Sequence, residues 1–139
     1  MKNTVEMQKL EENDLILGHG VDIVDLKTMA AFQNDDGWLK RCFNNEELQK
    51  IPVGPTRSAH IAGRFAAKEA VLKALGCGFG DGVALTDIGI SRADGAPPDV
   101  ALTGGAAACA NRIGITKLSL SISHSQTVAI ASVIATSDA

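Results

Sequence analysis

Apolar residues alternate with polar or small ones over residues 15–24, LILGHGVDIV, and the β-branched content predicts a first core strand, with two glycines where another backbone can approach closely. Asp25 follows as a helix cap for a short helix to about residue 33, and the polar cluster NDDG leads to helical turns at 38–42 and 44–51. Pro52, Gly54 and Pro55 stop that segment. Over 57–75 the pattern changes to a helical period rich in Ala, Leu, Lys and Glu, and Gly76 stands where a helix end favours a left-handed residue. After the glycine-rich loop GCGFGDG, residues 84–91 and 100–103 read as two strands around the turn ADGAPP, a hairpin. A short Ala-rich helix over 106–113 ends at Gly114. Leu118, Leu120 and Ile122 then alternate with serines over 117–123, a half-buried strand; residues 124–126 turn, and 128–134 form a buried strand before a polar tail that frays. This order of elements predicts an α+β fold, an antiparallel sheet packed on the long helix.

The chain has 139 residues, 45% hydrophobic and 21% charged, which suits one globular domain. Residues 15–139 are expected to form it, with residues 1–14 as a polar, frayed N-terminal extension. No apolar run approaches the ~20 residues of a membrane span, and the N-terminus lacks a secretory apolar region, so a cytoplasmic protein with no membrane partner is expected. A net charge of −3 and an aromatic content of 4% argue against a nucleic-acid partner. Cys42, Cys77 and Cys109 are odd in number, far apart and without Cys-x-x-Cys spacing, so they read as buried or half-buried thiols rather than zinc ligands.

Several residues break the local pattern. Asp22 lies between Val21 and Ile23, where an ionised carboxylate needs a cation, a metal, or backbone N–H groups of the following helix. On the long helix Ile61, Phe65, Leu72 and Leu75 share one arc, Lys68 falls inside it, and Glu69 and Lys73 flank it. Either these charges line a cavity, or Glu69 and Lys73 form an ordinary surface pair while Lys68 extends to solvent. His124 closes a strand among small residues, as a ligand contact or as a turn residue. The phosphate-loop, dinucleotide, Gly-x-Ser-x-Gly and His-Glu-x-x-His motifs are all missing. Asp22 and Glu69 with Arg64, Lys68, Lys73 and His124 make the inventory of a divalent metal and phosphate site, since Mg²⁺ takes one or two carboxylates and completes its octahedron with phosphate oxygens and water.

Three segments, GHGVDIVDL at 18–26, AGRFAAKEAVLKALGCGFG at 62–80 and LSISHSQTVAIASVIA at 120–135, resemble the holo-acyl-carrier-protein synthase family of 4′-phosphopantetheinyl transferases. RCFNNEEL at 41–48 and DGAP at 94–97 extend the likeness to most of the chain. The resemblance implies Mg²⁺-dependent transfer of phosphopantetheine from coenzyme A to a serine of apo acyl carrier protein, releasing adenosine 3′,5′-bisphosphate. Asp22 and Glu69 match its metal-binding positions. Arg64, Lys68, Lys73 and His124 match positions lining the coenzyme A phosphates, and Gly95 and Pro97 match a hairpin near the nucleotide. Asp22, Glu69 and Lys73 are thereby the expected catalytic residues, with Glu69 as candidate base. A homotrimer with sites between subunits is also implied.

The chain departs from the family in offering only Lys27 on the first helix, helped by Lys40 and Arg41, for an acidic carrier, and in carrying Ala96 where many relatives have Lys. The competing readings are a catalytically silent homologue that binds coenzyme A or a carrier protein, and a structural trimer or other Mg²⁺–nucleotide binding module.

Overall fold

Gly18 and Gly20 explain how the first strand meets the long helix. A β-carbon on either would fall on the backbone carbonyl oxygen of Ala74 or Ala70 in that helix, so only glycine allows the two backbones so close. The computed structural model describes residues 15–137; the polar extension expected over 1–14 lies outside them. Strand β1 (Leu15–Asp25) is followed by helices α1 (Leu26–Ala30), α2 (Asp36–Cys42), α3 (Asn45–Lys50) and α4 (Arg57–Leu75), strands β2 (Ile88–Ser91) and β3 (Asp99–Leu102), helix α5 (Gly104–Ile113), and strands β4 (Lys117–His124) and β5 (Val128–Ser137).

Strands β1, β5 and β4 make an antiparallel three-stranded sheet in that order, and β2 with β3 makes a separate two-stranded ribbon. The α+β architecture expected from the pattern is the one observed. Helix α4 is buried around most of its circumference because the sheet covers one side and α1, β2 and α5 lie against others. Its alanines Ala62, Ala66, Ala67, Ala70 and Ala74 are all buried and let these layers approach. Near its start Gly63 faces Ile122 of β4, while Ala70 and Ala74 lie on β1. The helix therefore crosses the sheet from one edge strand to the other.

Local chemistry sets the boundaries. Asp25 caps α1 by accepting from Lys27 and Thr28 N–H, and Asn44 with Glu47 forms a reciprocal capping box on α3. Helix α1 ends a turn before residue 33, giving way to hydrogen-bonded turns. Residues 84–87 are not strand: Asp87 accepts from Ala84 N–H and winds Leu85–Asp87 into a 3₁₀ turn, so β2 starts at Ile88. The last strand runs on through Thr136 and Ser137, further than its apolar run, because Thr136 and Leu15–Ile16 keep the ladder paired.

The cysteines differ from expectation. Cys77 and Cys109 are joined in a disulfide between the end of α4 and helix α5, across a separation of 32 residues. Long spacing along the chain did not keep them apart because α4 and α5 pack together. Cys42 is the free cysteine among the described residues, and burial pushes its thiol up to about 11, which makes it unreactive. A crosslink closing a loop of 32 residues is expected to stabilise the fold by about 3–4 kcal/mol in the chain-entropy view. Cys109→Ala should lower the thermal midpoint by several degrees without reductant, and reductant should bring the wild-type midpoint down to that of the variant. Coinciding midpoints under non-reducing conditions would contradict the link.

Candidate active site

Asp22 reaches the site because β1 alternates: Gly18, Gly20 and Asp22 face α4, and Val21 and Ile23 face outward. Its Oδ1 accepts from Lys73 Nζ at 3.0 Å, and the same ammonium donates to the Val21 carbonyl at 2.9 Å. The backbone N–H groups of the next helix go to Asp25 instead. Lys73 pairs across to Asp22 rather than along its helix to Glu69, and its side chain remains 54% exposed.

Glu69 lies one turn before Lys73 on α4, half-buried and facing the same pair. Burial, then the negative Asp22, pushes its carboxyl above the ordinary glutamate value, and Lys73 offsets this in part. Asp22 holds the Lys73 ammonium while Glu69 feels it only through space, and a divalent cation would relieve the repulsion between the two carboxylates. Among the described residues no group of three or more His, Cys, Asp or Glu side chains is placed to enclose a metal by itself. Two carboxylates fit an open Mg²⁺ site whose remaining positions go to phosphate oxygens and water.

Lys68 corrects the expectation of a phosphate contact. It is fully buried, and Nζ donates to Glu47 Oε1 at 2.6 Å, Ile88 O at 2.6 Å and Leu85 O at 3.0 Å. All three N–H donors of an ammonium are thereby used, and the Phe43 ring lies 5.1 Å from Nζ. The charge inside the apolar arc is neither lining a cavity nor reaching solvent; it is half of a buried ion pair.

Arg64 and His124 come together elsewhere, with His60 and Arg92, around a groove of about 300 Å³ that also touches Ile122 and Pro52. Burial, then the positive Arg92, holds the Arg64 guanidinium below its ordinary pKa, and burial with Arg64 and Arg57 lowers His60. The two salt bridges among the described residues are elsewhere, so this cluster faces its groove without a carboxylate ion pair. Such a cluster suits an anion. Gly95 and Pro97 are exposed at the tip of the β2–β3 turn, and Arg92 Nε donates to Ala96 O at 2.8 Å, which anchors the tip beside the groove. Arg92, His60 and Glu47 were not singled out by sequence. Arg92 sits in no motif, and Glu47 lies in the helical turn expected over 44–51, where nothing local signals a buried partner.

The two clusters do not merge. Arg64 and Glu69 are five residues apart on α4, about 7.5 Å of rise and about 140° of rotation, so one points toward the β4 edge and the other toward β1. The chain carries a carboxylate–lysine cluster and a separate cationic cluster.

The sequence and the fold are shared with known proteins. The family model described as the 4′-phosphopantetheinyl transferase superfamily matches residues 18–131. A holo-[acyl-carrier-protein] synthase of Natranaerobius thermophilus is 42% identical over 126 residues, covering 89% of this chain and all of that protein (100%). Among solved structures, the holo-[acyl-carrier-protein] synthase of Neisseria meningitidis superposes with a TM-score of 0.78 at 32% identity, covering 87% of this chain and 98% of that one. That of Helicobacter pylori, in complex with coenzyme A, gives 0.72 at 32% identity, covering 84% and 98%. With Asp22, Glu69 and Lys73 gathered at one end of the helix these motifs run through, the chain belongs to the 4′-phosphopantetheinyl transferase superfamily, among the holo-[acyl-carrier-protein] synthases.

Proposed function

We infer that this protein transfers 4′-phosphopantetheine from coenzyme A to a serine hydroxyl of apo acyl carrier protein. The serine oxygen forms a new bond to the pantetheine-side phosphorus, the pyrophosphate bridge breaks, and adenosine 3′,5′-bisphosphate leaves. The observation that carries the reading is the cluster of Asp22, Glu69 and Lys73, an Asp22–Lys73 ion pair with a second carboxylate beside it at an exposed end of α4.

Asp22 and Glu69 are the proposed Mg²⁺ ligands. When bound, the ion supplies charge neutralisation of the pyrophosphate. Lys73, held against Asp22 and the Val21 carbonyl, offers its remaining N–H to a phosphate oxygen. Glu69, beside the place where the serine hydroxyl would meet the phosphate, is the candidate acceptor of the serine proton. Arg64 and His124, joined by Arg92 and His60, form the proposed site for the remaining phosphate charge, beside the Gly95–Pro97 turn where the nucleotide would lie. Lys68 is not part of it.

The two clusters lie at opposite edges of the sheet, so the proposed working unit is a homotrimer in which the cationic cluster of one copy faces the carboxylate–lysine cluster of the next. The outer sheet face favours such assembly, with Val21, Ile23, Ile130 and Ile134 each about 40–63% exposed. Sedimentation velocity giving a single-chain mass for the active enzyme would sink the shared site. The proposed place of action is the cytoplasm, because both substrates are charged, water-soluble molecules; among the described residues no helix is long and apolar enough to cross a membrane. Recovery of the protein with the membrane fraction would contradict that placement.

The decisive experiment is intact mass spectrometry of apo acyl carrier protein incubated with the enzyme, coenzyme A and Mg²⁺. A gain of one phosphopantetheine arm, lost with chelator, is expected. Coenzyme A binding with no mass gain on any of several carriers would point to a silent binder.

A further inference from the structure

The buried pair Glu47–Lys68 makes more connections than burial requires. Lys68 binds the carbonyls of Leu85 and Ile88, on the 3₁₀ turn and on β2. Glu47 Oε2 accepts from Ile90 N–H at 3.0 Å, and Oε1 accepts from Asn44 N–H at 2.9 Å as well as from Lys68. Two side chains thus join α4, α3 and β2. No backbone ladder does so: among the described residues β2 pairs only with β3, outside the main sheet. Strand β2 ends at Ser91, and the next residue is Arg92. Arg64 stands one turn before Lys68 on α4, and Glu69 immediately after it.

We infer that Glu47 and Lys68 are positioning residues, whose buried pair fixes the β2–β3 hairpin against α4 and so sets Arg92 and the Gly95–Pro97 turn at the proper place relative to Arg64. The inference rests on the phosphopantetheinyl transferase reading for its substrate, coenzyme A, but not for its geometry. A pair retained only for stability is replaceable by a neutral pair of similar volume, because desolvation of two charges offsets much of their attraction. A positioning pair is not replaceable in this way, since the neutral substitute drops the bonds to Ile88 and Leu85.

The test uses Glu47→Gln and the double variant Glu47→Gln with Lys68→Met. In Glu47→Gln the amide –NH₂ must confront either the Lys68 ammonium or Ile90 N–H, donor against donor. In the double variant no buried charge is left unpaired, which protects folding. Both variants are expected to raise the KM for coenzyme A by about ten-fold, the scale of one charge-assisted hydrogen bond, while the Mg²⁺ midpoint set by Asp22 and Glu69 moves less than about two-fold. Hydrogen exchange, which needs no activity, is expected to speed up at the amides of residues 90–96 and stay unchanged in β1 and β5. If wild type shows no transfer, the enzymatic reading fails while faster hairpin exchange still upholds the positioning role. Hairpin exchange equal to wild type in a folded variant, or KM and Mg²⁺ midpoint rising together, would overturn it.

Discussion

Replacing Glu69 with alanine is expected to lower the rate of phosphopantetheine transfer by about 10²–10³-fold, the scale of losing one group that stabilises developing charge. The substitution removes one of two carboxylates at the end of α4 and leaves Asp22 to its ion pair with Lys73. It should not weaken the fold. Glu69 is half-buried, its charge is disfavoured by burial and by Asp22, and among the described residues no hydrogen bond depends on it. Linkage gives a second signature in metal-free protein. Because the folded carboxyl titrates above the unfolded one, its contribution to stability is complete below the ordinary glutamate pKa and is lost as pH rises through the raised value. Wild type should therefore lose stability across that window, and Glu69→Ala should lose less. Added Mg²⁺ should reverse the loss in wild type only, since metal and proton compete for the same oxygens. Full transfer activity in Glu69→Ala, with the Mg²⁺ requirement unchanged, would remove Glu69 from the metal site.

Much of this arrangement is legible in the chain, for reasons that differ by residue. The bounds of α4 follow from Pro52, Gly54 and Pro55 before it and from left-handed Gly76 after it, and these are local backbone rules. The alternation in LSLSISH gives β4 because its pleat has one face on the core. Asp22 stands out because a carboxylate in an apolar strand demands a partner, although the pattern could not choose between Lys73 and a helix start. What stays hidden depends on distant segments meeting. Lys68 falls in the apolar arc of α4 whether it binds phosphate or Glu47, and only the fold brings Glu47 to it. Arg92 acquires meaning when β2 carries it beside Arg64. Cys77 and Cys109 pair because α4 and α5 pack, which no spacing rule encodes. The strand expected from residue 84 begins at Ile88 because the Asp87 side chain captures Ala84 N–H, a local competition that alternation alone does not show.

Gly20→Ala carries the largest expected cost to the fold itself. The added methyl would fall on the Ala70 carbonyl oxygen and near Ala74 N, and both are backbone atoms in the last turns of α4 that no rotamer change can move. Strand and helix must separate along their contact, opening the core beside Ala70, Ala74 and Val133, and a destabilisation of about 3 kcal/mol or more is expected. Gly80→Ala is the matched control: it lies in an exposed 3₁₀ turn (Phe79–Asp81) after α4, nothing approaches its would-be β-carbon, and its effect should stay within about 0.5 kcal/mol. Chemical denaturation of both variants reads this difference directly, and equal midpoints would show that the close approach of β1 to α4 is not as drawn. The site should respond along with the fold. Asp22 is two residues beyond Gly20 on the same face of β1, so any displacement of the strand draws its carboxylate away from Lys73 and Glu69. In the fraction of Gly20→Ala that folds, the concentration of Mg²⁺ needed for half-maximal transfer should therefore rise, whereas Gly80→Ala should keep the wild-type requirement. The same two glycines that let the helix sit close to the sheet thereby also hold the two carboxylates within reach of one ion.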